Sequence, residues 1–88
     1  GNISYFNQNI FLINRFKLMI YPNTVSNTLY ISGLEPDEEI KIYNTIGQII
    51  FETKSSEKLT LIDMTNFTNN LYFVLIRNQY FKVIKGSQ

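Results

Sequence analysis

Apolar and polar residues alternate along the chain in short segments, a pattern that predicts β-strands rather than helices. From residue 17 onward, seven such segments are separated by turn-forming residues. We predict strands at residues 17–21, 28–32, 39–43, 48–53, 58–63, 71–77 and 80–85. Seven short strands joined by turns are typical of an all-β, Ig-like antiparallel β-sandwich, which is the fold class that we expect.

The clearest local motif is a hairpin between the third and fourth predicted strands. Asn44 stands at the first turn position and Gly47 three residues later, which fits a type I turn closed by a glycine in the left-handed conformation. We therefore expect Asn44, Gly47 and Gln48 to have structural roles. The alternation predicts that Ile49 and Phe51 continue one face of the hairpin, with Gln48 on the other.

Residues 71–77 are apolar on both faces of their predicted strand. This indicates either a central strand covered on both sides or a strand whose second face docks elsewhere. In the polar corner at residues 63–70, Asp63 is expected to cap the turn rather than to act as an acid or base. Tyr72 is either a tyrosine whose hydroxyl bonds back to this corner or a core aromatic residue. The register of strand 58–63 stays open, because its apolar residues occupy both faces.

Residues 1–16 are apolar but aperiodic. We divide the chain into this segment and a β-sandwich domain at residues 17–88. The segment is a linker, an extra N-terminal edge strand or the last strand of a preceding domain. Since an exposed apolar strand tends to pair, we expect residues 2–16 to contact something. A strand-mediated dimer is one form of this hypothesis, and the oligomeric state is left open.

The amino-acid composition limits the kinds of functional site that this chain can form. The chain lacks cysteine and histidine, which excludes disulfide bonds, thiolate zinc sites, a thiol nucleophile and a histidine general base. The net charge is +1, too small for nucleic-acid binding by bulk electrostatics. No apolar run approaches the roughly 18 residues of a transmembrane helix. We therefore expect no enzymatic activity, no cofactor, no metal, no nucleic-acid partner and no transmembrane segment.

Two groups of charged residues are candidate sites. Residues 35–39 hold four of the seven carboxylates, but they lack the ligand spacing and internal glycine of calcium-binding loops, which favours a solvated loop. Lys82 and Lys85 lie on the last predicted strand, and Lys41 and Arg77 are expected near them. This basic edge either contacts an anion or a docking partner, or protects the strand against aggregation.

Four segments in order resemble the type A C-terminal sorting domain of the Bacteroidetes type IX (Por) secretion system. They are an opening Tyr-Pro-Asn before an alternating strand, the Asn-Gly-Gln hairpin, an Ile-Asp corner before a Tyr-Phe-Val strand, and a closing strand between two lysines. The motif residues are Tyr21, Pro22, Asn23, Tyr43, Asn44, Gly47, Gln48, Asp63, Tyr72, Lys82 and Lys85. The resemblance covers about residues 17–85. Thr24 and Asn70 depart from it, because the family usually has proline and glycine there.

The resemblance implies a seven-stranded sandwich at the C-terminus of a larger secreted protein, acting as a non-catalytic address. Such domains pass through the periplasm, are recognised by the type IX translocon, and deliver their cargo to the outer-membrane surface or the medium. A sortase-like enzyme commonly removes them, and we expect cleavage around residues 7–17. Lys82, Lys85 and the backbone of the last strand are the residues that we expect the translocon to recognise.

Two other functions compete with a sorting role. An Ig-like adhesion or carbohydrate-binding module of a surface protein predicts an exposed aromatic platform. Tyr30, Tyr43 and either Phe73 or Tyr80 are candidate members of such a platform. A purely structural spacer between domains predicts no functional surface.

Overall fold

The computed structural model describes residues 17–86, which form eight strands and no helix. The strands are β1 (Met19–Tyr21), β2 (Thr24–Val25), β3 (Thr28–Ser32), β4 (Glu39–Tyr43), β5 (Ile49–Lys54), β6 (Thr60–Asp63), β7 (Asn70–Ile76) and β8 (Gln79–Lys85). One sheet has the order β1-β3-β6 and the other the order β2-β8-β7-β4-β5. The predicted all-β sandwich is thereby confirmed. The predicted linker or extra strand at residues 1–16 lies outside the described residues, so the proposed domain boundary stays a prediction.

The two sheets enclose a core built from alternate residues of their strands. The buried apolar side chains come from strands of both sheets and, for two of them, from the loops after β3 and β6: Val25, Leu29, Ile31, Leu34, Ile40, Ile42, Ile62, Met64, Tyr72, Val74, Ile76 and Val83. The pairing of Leu29 with Ile62 settles the register of β6, because it places Ile62 inside and leaves Leu61 exposed. The apolar residues that recur at every second position in the sequence are thus the side chains that fill the core.

The first predicted strand corresponds to β1, and a further short strand, β2, follows it in the other sheet. β1 pairs antiparallel with β3, whereas β2 pairs parallel with the end of β8. The chain crosses from one sheet to the other at Pro22, whose bond to Tyr21 is cis. β2 was not predicted, because a two-residue strand has no alternation to detect. Its parallel pairing also makes the larger sheet mixed rather than fully antiparallel.

The β4–β5 hairpin corrects one sequence prediction. Phe51 pairs with Ile42, but Ile49 rather than Ile50 pairs with Tyr43, because a bulge shifts the register between these pairs. Directly paired residues share a face, so Phe51 points with Ile42 toward the core and Ile49 points with Tyr43 outward. The prediction that Ile49 and Phe51 share one face is therefore wrong. Because β5 has one extra residue at the bulge, the residues on either side of it do not keep the simple alternation between the two faces.

Candidate functional site: the last strand and the motif residues around it

The last strand, β8, is anchored along one edge and largely open along the other. It pairs with β7 from Gln79 to Lys85, while β2 covers the second edge at Ile84 and Lys85. Within residues 17–86, no strand pairs with the second edge of residues 79–83. Backbone N–H and C=O groups along such an edge are available to an added strand. Among the described residues, the backbone of residues 79–83 is therefore open along this edge.

The two lysines of β8 lie in different environments. Lys82 is exposed on the outer face of the larger sheet, opposite Phe73. Lys85 is 7% exposed, and its Nζ donates a hydrogen bond to Oδ1 of Asn69 at 3.4 Å. Lys82 can therefore offer its charge to a partner, whereas Lys85 holds the end of β8 against the corner before β7. The sequence could not separate them, because the partner of Lys85, Asn69, is 16 positions away along the chain.

The hairpin motif is held together by its own side chains. Oδ1 of Asn44 accepts hydrogen bonds from the backbone N–H groups of Ile46 (3.1 Å) and Gln48 (2.9 Å). Nδ2 of Asn44 donates to Oε1 of Gln48 at 2.9 Å. Gly47 has a φ of 85°, which side-chain-bearing residues rarely adopt. Asn44, Gly47 and Gln48 therefore form one turn that is held by hydrogen bonds within it.

The corner before β7, at residues 63–70, is also held by hydrogen bonds of its own side chains, which here come from Asp63 and Tyr72. Oδ1 of Asp63 accepts from the backbone N–H of Thr65 (3.0 Å) and from its hydroxyl (2.6 Å), and these bonds lower the pKa of the Asp63 carboxyl. The ring of Tyr72 is buried, and its hydroxyl donates to the carbonyl of Thr68 at 2.7 Å. Both interpretations of Tyr72 are thus true at once. It is a core residue that also ties down the corner.

The opening motif connects the first strand to the last. The ring of Tyr21 stacks on that of Tyr30, with centroids 5.5 Å apart. After Pro22, the carbonyl of Asn23 accepts a hydrogen bond from the backbone N–H of Ile84 at 2.9 Å. The motif therefore directs the chain across the sandwich and fixes the end of β8. Thr24, where the resemblance predicted proline, pairs with Ile84 in β2.

The comparison with known families decides what these motifs belong to. Residues 19–86, most of the chain, match the family model described as the secretion system C-terminal sorting domain. The chain belongs to this family. Its members are C-terminal sorting signals for type IX secretion and are in general non-catalytic, and they are attached to an upstream cargo. No curated protein matched the chain.

The acidic loop of the sorting domain, at residues 35–39, is part of a network of ion pairs and hydrogen bonds. Arg77, just after β7, donates from Nε and Nη2 to the carboxylate of Glu38, and Nη2 also donates to the carbonyl of Gly33 at 2.8 Å. The bond to Glu38 raises the pKa of Arg77. Buried Ser55 completes the loop, because its Oγ donates to the carbonyl of Glu35 (2.5 Å) and accepts from the N–H of Glu38 (3.0 Å).

This network changes two sequence interpretations. Between residues 17 and 86, no group of three or more acidic side chains is placed to hold a metal ion. The loop is not uniformly solvated either, because Glu38 is half-buried against Arg77. Arg77 was grouped with Lys82 as a basic edge, but its guanidinium belongs to the Glu38 pair. A contact across 39 positions has no signature in a single sequence.

The aromatic residues of the sorting domain lie on two different surfaces. Tyr43, Phe73 and Tyr80 share the outer face of the five-stranded sheet, where the rings of Tyr43 and Tyr80 are 6.2 Å apart. Tyr30 lies on the other sheet beside Tyr21. Of the four candidate members of an aromatic platform, Tyr43, Phe73 and Tyr80 thus lie together and Tyr30 lies on the other sheet. Between residues 17 and 86 there is no helix long and apolar enough to cross a membrane.

Proposed function

We propose that this sorting domain carries a larger upstream protein through the type IX secretion system by presenting the open edge of β8 to the translocon. Passage through the periplasm precedes this step, and delivery to the cell surface or the medium follows it. The observation that carries the proposal is the edge of residues 79–83, which no strand within residues 17–86 covers, in a domain of the sorting family. The domain itself performs no reaction and needs no cofactor.

The edge is suited to strand addition because its frame is rigid. β7 pairs with β8 at all seven of its residues, and β7 is in turn held by β4. A partner strand therefore meets backbone groups that are already ordered, which reduces the entropy that binding costs. β2 blocks the edge at Ile84, so the added strand is limited to residues 79–83.

Lys82 supplies the charge contact in this proposal. Its side chain is exposed at the middle of the open edge, where it can meet an acidic side chain of the translocon. Lys85 has a different part, since its burial against Asn69 keeps the end of β8 in place. Of the two lysines that the sequence analysis expects the translocon to recognise, we thus propose Lys82 as the contact residue and Lys85 as a positioning residue.

Removal of the domain after transport is the last step of the proposal. A sortase-like enzyme cuts the chain upstream of the sandwich, around residues 7–17. Residues 7–16 of this stretch lie outside the described part of the chain. Since β1 begins at Met19, a cut there leaves every strand of residues 17–86 intact.

The proposal is tested by export of a reporter. Residues 1–88 are fused to the C-terminus of a periplasm-targeted reporter, in a host with a working type IX system and in a matched host that lacks the translocon. We expect the reporter on the surface or in the medium of the first host and in the periplasm of the second. Equal retention in both hosts, with the domain folded by circular dichroism, contradicts the proposal.

A second candidate function rests on the aromatic cluster of Tyr43, Phe73 and Tyr80. Exposed aromatic rings on a sheet face are suited to stacking against sugar rings, so a carbohydrate-binding module remains the alternative. Binding of soluble polysaccharides by the wild-type domain, lost in Tyr80→Ala, favours this alternative. Export that is unaffected by Tyr80→Ala favours the sorting role.

A further inference from the structure

A cleft opens where the chain passes from the smaller sheet to the larger one and back. The chain leaves the smaller sheet after Tyr21, pairs with β8 through β2, and returns to the smaller sheet at Thr28. The open cavity beside these segments measures about 530 Å³, within the range of roughly 300–1,000 Å³ that is usual for small-ligand sites. We call it the β2 cleft, and its lining residues are Pro22, Thr24, Ser26, Asn27, Thr28 and Tyr30.

The polar side chains of the β2 cleft are not used to hold the fold. Elsewhere in the domain a short polar side chain stabilises its own turn, as Asn44 does in the β4–β5 hairpin. No hydrogen bond within residues 17–86 involves the four polar side chains from Thr24 to Thr28. Three hydroxyl groups and one amide group are therefore available to a ligand in the cleft.

The backbone around the cleft, in contrast, is already paired. The carbonyls of Asn23, Val25 and Asn27 accept hydrogen bonds of 2.7–2.9 Å from backbone N–H groups of other segments. β3 is paired along both edges, by β1 and by β6. A peptide that adds a strand needs free backbone groups. The cleft is therefore better suited to a ligand that bonds to side chains.

The β2 cleft is also uncharged. Among the described residues, none that lines it carries a charge. Asp63 and Lys85 pair with its strands, but the carboxylate of Asp63 bonds to Thr65 and the ammonium group of Lys85 bonds to Asn69. A charged ligand would find no opposite charge in the cleft, so its polar groups favour a neutral ligand.

Tyr30 adds an aromatic ring that is held in a fixed orientation. Its ring stacks on that of Tyr21, with 13° between the ring planes and 5.5 Å between the centroids. Leu61 pairs with Tyr30 on the opposite side. A side chain that is ordered before binding loses little entropy when a ligand arrives. Tyr30 can therefore contact an apolar surface of the ligand at small cost.

We propose that the β2 cleft binds a neutral saccharide. Tyr30 contacts the sugar ring, and the side chains of Ser26, Asn27 and Thr28 bond to its hydroxyl groups. A sugar offers both an apolar C–H face and many hydroxyl groups, which an aromatic ring and uncharged polar side chains together can match. The inference does not rest on the sorting role. It also concerns a different surface from the cluster around Tyr80, which lies on the five-stranded sheet.

Amide chemical shifts in NMR spectra of the full chain test this inference. The nitrogen-labelled chain is titrated to millimolar concentrations of three neutral probes: cellohexaose, maltohexaose and mannohexaose. We expect at least one of them to shift the amides of residues 24–30 and to leave that of Tyr80 unchanged. Shifts centred on Tyr80 would place sugar binding on the other sheet and overturn the proposal. The absence of shifts at residues 24–30 with all three probes would overturn it equally.

Two further probes test the chemical class of the ligand. Oligogalacturonate is an acidic saccharide, and a peptide of serine and glycine is an uncharged extended chain. We expect smaller shifts at residues 24–30 with either probe than with the best neutral hexasaccharide. Larger shifts with oligogalacturonate would contradict the neutral character of the site, and larger shifts with the peptide would make it a peptide site.

Substitutions in the cleft complete the test. Asn27→Ala removes one hydrogen-bonding side chain that the fold does not use, and should weaken binding about two- to tenfold. Tyr30→Ala should weaken it by more than about tenfold. Asn66→Ala and Tyr80→Ala are the matched controls and should leave the affinity unchanged. Circular dichroism checks that each variant is folded, and unchanged affinity in folded Asn27→Ala would contradict the proposed contact even if Tyr30→Ala fails to fold.

Discussion

Tyr72 offers the most precise test of how the corner before β7 is held. Its hydroxyl donates to the carbonyl of Thr68 at 2.7 Å and lies 3.0 Å from the Thr68 hydroxyl. Tyr72→Phe removes these bonds and leaves the ring, with its edge contact to Phe67, in place. Because one net hydrogen bond contributes about 0.5–1.5 kcal/mol, we expect a loss of about 1–2 kcal/mol in the free energy of unfolding.

The assay is urea unfolding followed by circular dichroism. With a denaturant slope of about 1 kcal/mol per molar urea for a domain of this size, the midpoint should fall by about 1–2 M. Tyr80→Phe is the matched control, because it makes the same chemical change on a residue that is 65% exposed. We expect this control to change stability by less than about 0.5 kcal/mol.

One outcome refutes the reasoning about the corner. If Tyr72→Phe and Tyr80→Phe shift the urea midpoint equally, the Tyr72 hydroxyl makes no net contribution and the residue is a core aromatic alone. Thr68→Ala separates the two bonds further, since it removes the side-chain hydroxyl but keeps the backbone carbonyl. It should therefore cost less than Tyr72→Phe.

Three further predictions follow from the turn, the ion pair and the cap. Gly47→Val should lower the unfolding free energy by about 1–2 kcal/mol, because a β-branched residue is strained at a φ of 85°, and Gly47→Asn should lose less in the same urea assay. Arg77→Lys should cost about 1–2 kcal/mol, since lysine cannot reproduce the two-point bond to Glu38, whereas exposed Lys54→Ala should change the urea midpoint little. Asp63 has a lowered pKa, so its carboxylate stabilises the fold above its ordinary pKa of 3.8 and loses this effect as the pH falls through the lower folded value. Melting temperatures from pH 6 to pH 2.5 should therefore fall less steeply for Asp63→Asn than for the wild type; an identical slope would contradict the assignment.

Local sequence patterns predicted most of the fold because most of it is locally encoded. The turn of Asn44 and Gly47 closes on its own side chains, and the cap of Asp63 reaches two residues ahead. Alternation likewise matches the buried face of β3 and β4, where every second residue is buried. These features depend on spacing within a few residues, which a single sequence displays directly.

The rest depends on contacts between distant segments. The bulge beside Tyr43 inverted the expected face of Ile49, and no residue at that point marks an extra position in the pairing. Lys85 donates a hydrogen bond to Asn69, and Arg77 pairs with Glu38, so both lie against residues that are distant in the sequence. The open edge of β8 is also a property of the fold as a whole, because it exists where β2 ends.

The central claim is that the translocon recognises the open edge of β8, and site-specific photo-crosslinking tests it most directly. A photoreactive amino acid replaces Lys82 in one chain and Lys54, exposed on the opposite edge strand β5, in another. Both chains are fused to the exported reporter and irradiated in a host with a working type IX system. We expect crosslinks from position 82 to translocon components and few from position 54. Crosslinks from position 54 alone, or no crosslink at position 82 while export continues, would contradict recognition at this edge.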